Sequence, residues 1–373
     1  PGGGCILGAV QNNDSDLLLS SIDHYDRHLK LSDNRAALRL RAEARLRLKQ
    51  YKQALGDFQE LSSRPIEPSQ VALFQWLHDA ELLRRNGMDN EARVVESLVD
   101  AVPSEVQDAF GRVASSDVQR AAAEVAECCA KIPGFLPLCP AAALNPKQDW
   151  TMIQDAYEKD SMVVVDDFLS PEGLAEMRRL SLQAPIFRTV RAGFLGAFPQ
   201  DGFCHPVVAS IAEELGALAP RIARDHPLGY WWLFKYDQKA GRSGIGIHAD
   251  QAAVNVNIWL TEDAAREHGG GLEVFSTPAP VTGALEQYNR EFAPGEEARL
   301  LEDLRSTGSR RIEYKQNRCA IFVSDLLHVS EPAVFRPGFD NARVNFTLLF
   351  GDRARARVAQ EDKGCGPDVD DLF

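Results

Sequence analysis

The sequence runs to 373 residues, 45% hydrophobic and 25% charged, with a formal net charge of −13, which gives roughly two domains of about 100 to 200 residues and enough chain to bury a core. That acidity disfavours a long nucleic-acid track, which needs concentrated Lys and Arg, and no apolar run approaches the roughly 20 residues of a membrane-spanning helix. Seven cysteines, odd in number and without a CxxC pair, suggest neither a disulfide framework nor a structural zinc site, so a reducing, cytoplasmic setting is expected. The opening "PGGGCILGAV" lacks the basic region of a signal peptide; with no initiator Met, a preceding targeting segment stays open.

From Asp14 to about Lys131 apolar residues recur at three- and four-residue spacing and the breaks fall at Ser, Asp, Asn or Pro, so residues 14–131 read as almost wholly helical. "LKQYKQALGDFQEL" and "RRNGMDNEARVVESL" each carry a turn and then a helix with a small residue, Ala54 or Ala92. These alanines lie 38 residues apart, and Pro65 and Pro103 follow them at the same 11-residue offset. Over about Asn34 to Glu105 this resembles one fair and one degenerate tetratricopeptide repeat, a surface for a protein partner. An irregular helical bundle needs the same apolar periodicity, and both readings stand. Either makes the segment a scaffold, expected to pack as a unit of its own. "CAKIPGFLPLCPAAALNP" then interrupts the pattern with four prolines, marking residues 132–149 as a linker.

Beyond it the periodicity changes. Met162 to Val165 reads as a buried strand, followed by a helix capped by Ser170 with Pro171 at its first position and an apolar face at Leu174, Met177 and Leu180. Short strands are expected at Tyr230 to Tyr236, Ala253 to Leu260, Gly271 to Phe275, Arg318 to Val323 and Val344 to Phe350. Strands joined by loops predict a sandwich or jelly roll, so the chain is expected to be α+β, with a helical domain ahead of a jelly-roll domain at 150–353 and an acidic tail at 354–373.

"GIGIHADQAAVNVNIWL" places His248 and Asp250 one residue apart ahead of an alternating strand. Such a pair alone is weak, because eight histidines in an acidic chain produce one by chance. "CAIFVSDLLHVSEPA" supplies a third group: a buried-type strand, Ala320 to Val323, leads into His328. Two imidazoles and one carboxylate form the facial triad that suits non-haem Fe(II) and leaves three adjacent positions open. Fifteen residues later Arg343 opens "RVNFTLLFGD", and its planar guanidinium is the group expected to clamp a dicarboxylate.

His248-x-Asp250, then Gly269-Gly270-Gly271-Leu272-Glu273-Val274-Phe275, then His328 followed by Glu331-Pro332-Ala333, then Arg343, resemble in that order the Fe(II)/2-oxoglutarate dioxygenases, especially their prolyl-4-hydroxylase-like branch. The resemblance covers about Trp150 to Asp352. It implies a double-stranded β-helix, with His248, Asp250 and His328 as iron ligands and Arg343 on the distal carboxylate of 2-oxoglutarate. It also implies a tyrosine near the cosubstrate in the preceding strand. Tyr236 stands there, but the loop "DQKAGRSGIGI" looks two residues longer than the family's usual one, leaving Tyr236 either a cosubstrate contact or a core residue. In the next strand Asn255, Asn257 and Trp259 share one face, expected to point into the barrel, and Val254, Val256 and Ile258 share the other. Asp325 is either an orienter of a ligand histidine or a turn former.

The implied activity is hydroxylation of an unactivated C–H bond with Fe(II), 2-oxoglutarate and O2, releasing succinate and CO2, with ascorbate a candidate activator. Related halogenases replace the carboxylate ligand with a small residue; this chain keeps Asp250. The substrate is expected to be a small molecule or amino-acid-like, with a peptidyl substrate recruited through the helices as the alternative. Residues 276–311 are a candidate lid. The rival from another class is a noncatalytic helical-repeat protein with a vestigial oxygenase domain, against which the retained triad and Arg343 argue. No basic stripe interleaved with aromatics supports a nucleic-acid substrate.

Overall fold

A computed structural model describes residues 15–31, 34–63, 70–108, 111–191, 193–236, 244–279 and 294–353. The acidic tail predicted at 354–373 lies outside these residues. Among them, no helix is long and apolar enough to cross a membrane.

The first part is helical as expected: α1 (Ser15–Leu31), α2 (Arg35–Arg47), α3 (Tyr51–Ser62), α4 (Leu73–Arg85), α5 (Asp89–Asp100) and α6 (Gln119–Cys129). Local chemistry starts α2, where the Asn34 side chain accepts the Ala37 N–H at 3.2 Å. The pairs α2–α3 and α4–α5 form two helical hairpins, with Ala54 and Ala92 fully buried. They interrupt one feature the helical pattern does not predict. Strand β1 (Gln70–Ala72) pairs antiparallel with β2 (Arg112–Ala114), and three residues are too few for a period-two signal.

The second part holds α7 (Trp150–Asp160), β3 (Met162–Val165), α8 (Pro171–Gln183), β4 (Thr189–Arg191), β5 (Phe194–Ala197), α9 (Pro206–Leu218), β6 (Leu228–Tyr236), β7 (Val254–Trp259), β8 (Arg266–Gly269) and β9 (Leu272–Pro278). It ends with α10 (Pro294–Thr307), β10 (Ser309–Ile312), β11 (Cys319–Val323), β12 (Leu326–Ser330), β13 (Ala333–Phe335) and β14 (Val344–Phe350). Helix α8 begins as its sequence dictates: Pro171 takes the first turn and Ser170 Oγ accepts the Gly173 N–H at 2.9 Å.

Two antiparallel sheets face each other as a jelly roll. The large one runs β3-β11-β7-β14-β6-β5-β4 and the small one β10-β9-β12, the latter extended by residues 245–248, which bridge to β12. Alternation assigns the faces. Between the sheets lie Met162, Trp259, Leu272, Val274 and Phe322. The other face of the large sheet presents Val163, Trp231, Leu233, Val256, Ile258 and Phe346 to the helices.

That helical layer corrects one expectation. Residues Leu38, Leu46, Tyr51 and Phe58 of α2 and α3 belong to the same continuous core as the large sheet, together with α8 and α9, so this part of the scaffold does not pack as a unit apart. The two hairpins lie on different supports: α3 packs on α9 and the Pro199–Asp201 turn, while α4 and α6 close a smaller core around Trp76, Leu83 and Val125.

Candidate metal centre

Residues 245–248 and β12 run antiparallel, and His248 and His328 exchange both backbone hydrogen bonds, at 3.0 and 2.9 Å. Their rings therefore lie side by side, 4.1 Å between centres. His328 does not end the buried strand as its sequence suggests. The chain leaves β11 at Val323, turns through Ser324 and Asp325, and carries His328 in the middle of β12, in the opposite sheet. Two residues after His248, Asp250 falls on the same side, and the candidate ligand atoms of the three residues all lie within 4.8 Å of one another.

Both imidazoles are held the same way. His248 Nδ1 meets the Gly246 carbonyl at 2.8 Å and His328 Nδ1 the Leu326 carbonyl at 3.0 Å. A carbonyl only accepts, so each Nδ1 carries the proton and each Nε2 is left as a lone-pair donor facing Asp250. Asp250 Oδ2 lies 3.5 Å from His328 Nε2 and accepts from Asn255 Nδ2 at 2.5 Å. Ser324 Oγ donates to the Asp250 carbonyl at 3.1 Å, fixing the turn. Burial first, and the neighbouring His328 ring second, lower the pKa of His248 to about 4. Burial opposes the charge on Asp250, yet its pKa is held below the ordinary value, because the His328 and His248 rings, when protonated, and the Asn255 amide favour the carboxylate. A neutral imidazole beside an ionised carboxylate is the form in which these groups bind a metal.

The triad opens into a cavity between the sheets, lined also by Tyr236, Asn257, Trp259, Asn345, Thr347 and Arg343. Arg343 is 3% exposed. Its Nε donates to the Gly270 carbonyl at 3.1 Å, and its Cζ stands 4.4 Å over the Tyr236 ring. The glycine run makes that approach: Gly270 has φ +86°, and a Cβ on Gly271 would lie 2.1 Å from the Ile312 carbonyl oxygen. Among the described residues, Arg343 Nη1, Trp259 Nε1, Asn257 Oδ1 and Asn345 Oδ1 are buried without a hydrogen-bond partner. Buried polar atoms are normally paired, so this wall is built for a polar occupant.

Of the sequence candidates, His248, Asp250, His328, Arg343, Tyr236, Asn257 and Trp259 meet in this cavity; Asn255 lies beneath it, against Asp250. Asp325 is not at His328 but pairs with Arg353. The candidate lid is another matter. Residues 280–293 lie outside the described residues, and α10 packs Leu304 against Ile247, Ala249, Phe275 and Leu327, on the outer side of the strands that carry the histidines. Asn345, Thr347, Trp232 and Phe234 also line the cavity but escaped notice in the sequence. Alternation alone gives them, since Asn345 and Thr347 share the face of Arg343, and Trp232 and Phe234 that of Tyr236.

No protein-family model and no curated protein matches this chain. Among solved structures, it is similar to the non-heme alpha ketoglutarate dependent epimerase SnoN from nogalamycin biosynthesis, at 17% identity over 54% of this chain and 80% of that one, TM-score 0.39. A 2OG-Fe(II) oxygenase family oxidoreductase from Burkholderia pseudomallei matches at 10% identity over 59% of this chain and 98% of that one, TM-score 0.38. A Pseudomonas putida prolyl-4-hydroxylase matches at 16% identity over 55% of this chain and its whole length (100%), TM-score 0.36.

Proposed function

We propose that the chain is an Fe(II)- and 2-oxoglutarate-dependent dioxygenase that hydroxylates an unactivated C–H bond, with His248, Asp250 and His328 holding the metal and Arg343 the distal carboxylate of 2-oxoglutarate. One observation carries the reading: a two-histidine, one-carboxylate triad and a buried guanidinium with an unpartnered Nη1 face the same cavity. The donor set fits the metal, since two Nε2 atoms and one carboxylate can occupy one face of an octahedron. When bound, iron with 2-oxoglutarate and O2 supplies the oxidising power to replace C–H by C–OH, with succinate and CO2 released.

The chain's own residues do the arranging. The Gly246 and Leu326 carbonyls orient the two rings, and Asn255 occupies one side of Oδ2, favouring monodentate ligation by Asp250. Gly270 aims the Arg343 fork, while Trp259 and Asn345 offer further polar atoms along the same wall. The inter-sheet apolar layer keeps bulk water from one side of the site. The test is anaerobic addition of Fe(II) and 2-oxoglutarate to the full chain, following the metal-to-ligand absorbance. The band is expected in the wild type and absent in His248→Ala; a band that persists in the variant overturns the ligand assignment.

A further inference from the structure

Four aromatic side chains lie along β6, and of these only Tyr236 is a candidate cosubstrate contact. Tyr230, Trp232, Phe234 and Tyr236 occupy alternate positions and share the inner face of the strand, and the last three line the cavity beside the triad. The wall continues beyond them. Phe194 on β5 lies 4.6 Å from Phe234 and 5.6 Å from Tyr236, ring centre to ring centre, and Phe198 stacks on Tyr230 at 5.8 Å and 25°. Trp232 and Phe234 stand 5.6 Å apart with planes only 29° from parallel. Gly196, between Phe194 and Phe198, leaves room for this, because a Cβ there would lie 2.7 Å from the Phe198 ring. Phe194, Phe198, Tyr230 and Trp232 each keep part of their surface exposed, so the wall presents ring surface rather than sealing it away.

Charge narrows the occupant. Among the described residues, the acidic and basic side chains lining the cavity are His248, Asp250, His328 and Arg343, all committed to metal and cosubstrate. A free amino acid would bring an ammonium and a carboxylate that find no counter-charge among the described lining residues, and an unpaired buried ion is strongly disfavoured. Along the ring wall itself, away from Trp259, Asn257 and Asn345, a peptide's N–H and C=O groups would meet ring faces that do not satisfy them. Aromatic pairs prefer offset-stacked or edge-to-face contact, which an uncharged flat ring can make with either geometry.

We infer that the primary substrate is an uncharged small molecule bearing a flat ring system, held against the Trp232–Phe234 wall with its reacting carbon turned toward the triad. The word substrate rests on the oxygenase reading; binding to the wall does not. The test is equilibrium dialysis of the full chain against 2-naphthol, with 6-hydroxy-2-naphthoate, L-proline and a short uncharged prolyl peptide as comparison probes, and separately against Fe(II) with 2-oxoglutarate. Binding of 2-naphthol is expected to exceed that of the other three, and Trp232→Leu and Phe198→Leu are each expected to weaken it about threefold to tenfold. Circular dichroism checks that each variant is folded, and the half-exposed Phe198 provides a test at the mouth of the wall that does not depend on the Trp232 variant. Naphthol binding by a chain that takes up no Fe(II) keeps the wall and discards the oxygenase reading. Uptake of Fe(II) and 2-oxoglutarate with no naphthol binding, or with equal binding by the folded variants, overturns the inference. Preference for the prolyl peptide overturns it as well, in favour of a peptidyl substrate.

Discussion

Arg343 brings a permanent charge into a wall where its Nη1 has no partner among the described residues. A carboxylate seated on that fork completes it with charge-assisted hydrogen bonds. Removing one partner of such a pair costs about 2 to 5 kcal/mol, so Arg343→Ala is expected to weaken 2-oxoglutarate about 30-fold to a few thousand-fold, with Lys restoring only part. Titration of the iron-loaded variant without oxygen measures this, and an unchanged dissociation constant would place the carboxylate elsewhere. Asn255 acts one step further out. Its amide is the donor to Asp250 Oδ2, and Asn255→Ala is expected to lower Fe(II) affinity about 10- to 100-fold, as loss of a group that orients a metal ligand commonly does. Equal metal affinity in dialysis would reduce Asn255 to a packing residue. His248 and Asp250 were legible because two residues apart on an extended segment means one face. His328 lies far along the chain, in another strand, and no local period reports such a pairing; its order relative to the other motifs did. Asp325 forms the turn before β12, the second of its two readings, and adjacency in sequence says nothing of Arg353, with which it pairs.

Among the elements, α10 distinguishes a lid from a buttress. Leu304 is buried against Ile247, Ala249 and Leu327, the immediate neighbours of the two histidines, and Arg305 pairs with Glu273 on β9 at 2.7 Å. Leu304→Ala is therefore expected to cost about 2 to 5 kcal/mol of stability, as buried Leu truncations do. Denaturant unfolding reads it, and a loss of turnover with stability intact would instead restore the lid. On the sheet's far edge, Asp166 accepts from Arg318 Nε at 2.6 Å and Lys315 Nζ at 2.9 Å, tying the end of β3 to the start of β11. The Arg318 hydrogen bond leads in holding its carboxyl at about 2, below the ordinary 3.8. A depressed carboxylate stabilises the fold above its unfolded pKa and loses that contribution as pH falls, here from about 4 down to 2. The pair is partly exposed, so solvent screening keeps its contribution small. Asp166→Asn should lose less stability than wild type between pH 5 and pH 2.5; parallel losses would show that the pair contributes nothing. Strands with four or more alternating or buried-type residues, such as β3, β7 and β14, were legible. The strands β4 and β13 are too short for a period, and β12 follows β11 after only two residues, so the pair reads as one run.

At the scale of the molecule, the proline-rich stretch reads as a boundary because it breaks helical periodicity, but a break in local structure need not be a break in the core. The Phe58 ring stands edge-on to Trp231, 5.7 Å between centres at 89°, and Tyr51 Oη accepts the Leu228 N–H at 3.3 Å. Further along, Arg47 pairs with Asp352, and Arg85 with Asp340 at 2.9 Å in the turn that leads to Arg343. Trp231, on the outer face of β6, is fully buried in the core that α2 and α3 help to close. Chain composition on either side of 132–149 carries no trace of these contacts, because they are made between residues from about 170 to 305 positions apart. A chain beginning at Ala141 would expose the part of that face that α2 and α3 cover, while α8 and α9 remain. Each large apolar side chain returned to water costs about 1.5 to 3 kcal/mol, so a handful of them equals the roughly 5 to 15 kcal/mol by which a domain is stable. The truncated chain is therefore expected to be insoluble, or to lack a cooperative melting transition, although it retains the whole triad and Arg343. Circular dichroism on heating, beside Fe(II) dialysis, decides it: a soluble fragment that melts cooperatively and binds Fe(II) like the full chain would show that α2 and α3 cover the sheet without being needed to fold it.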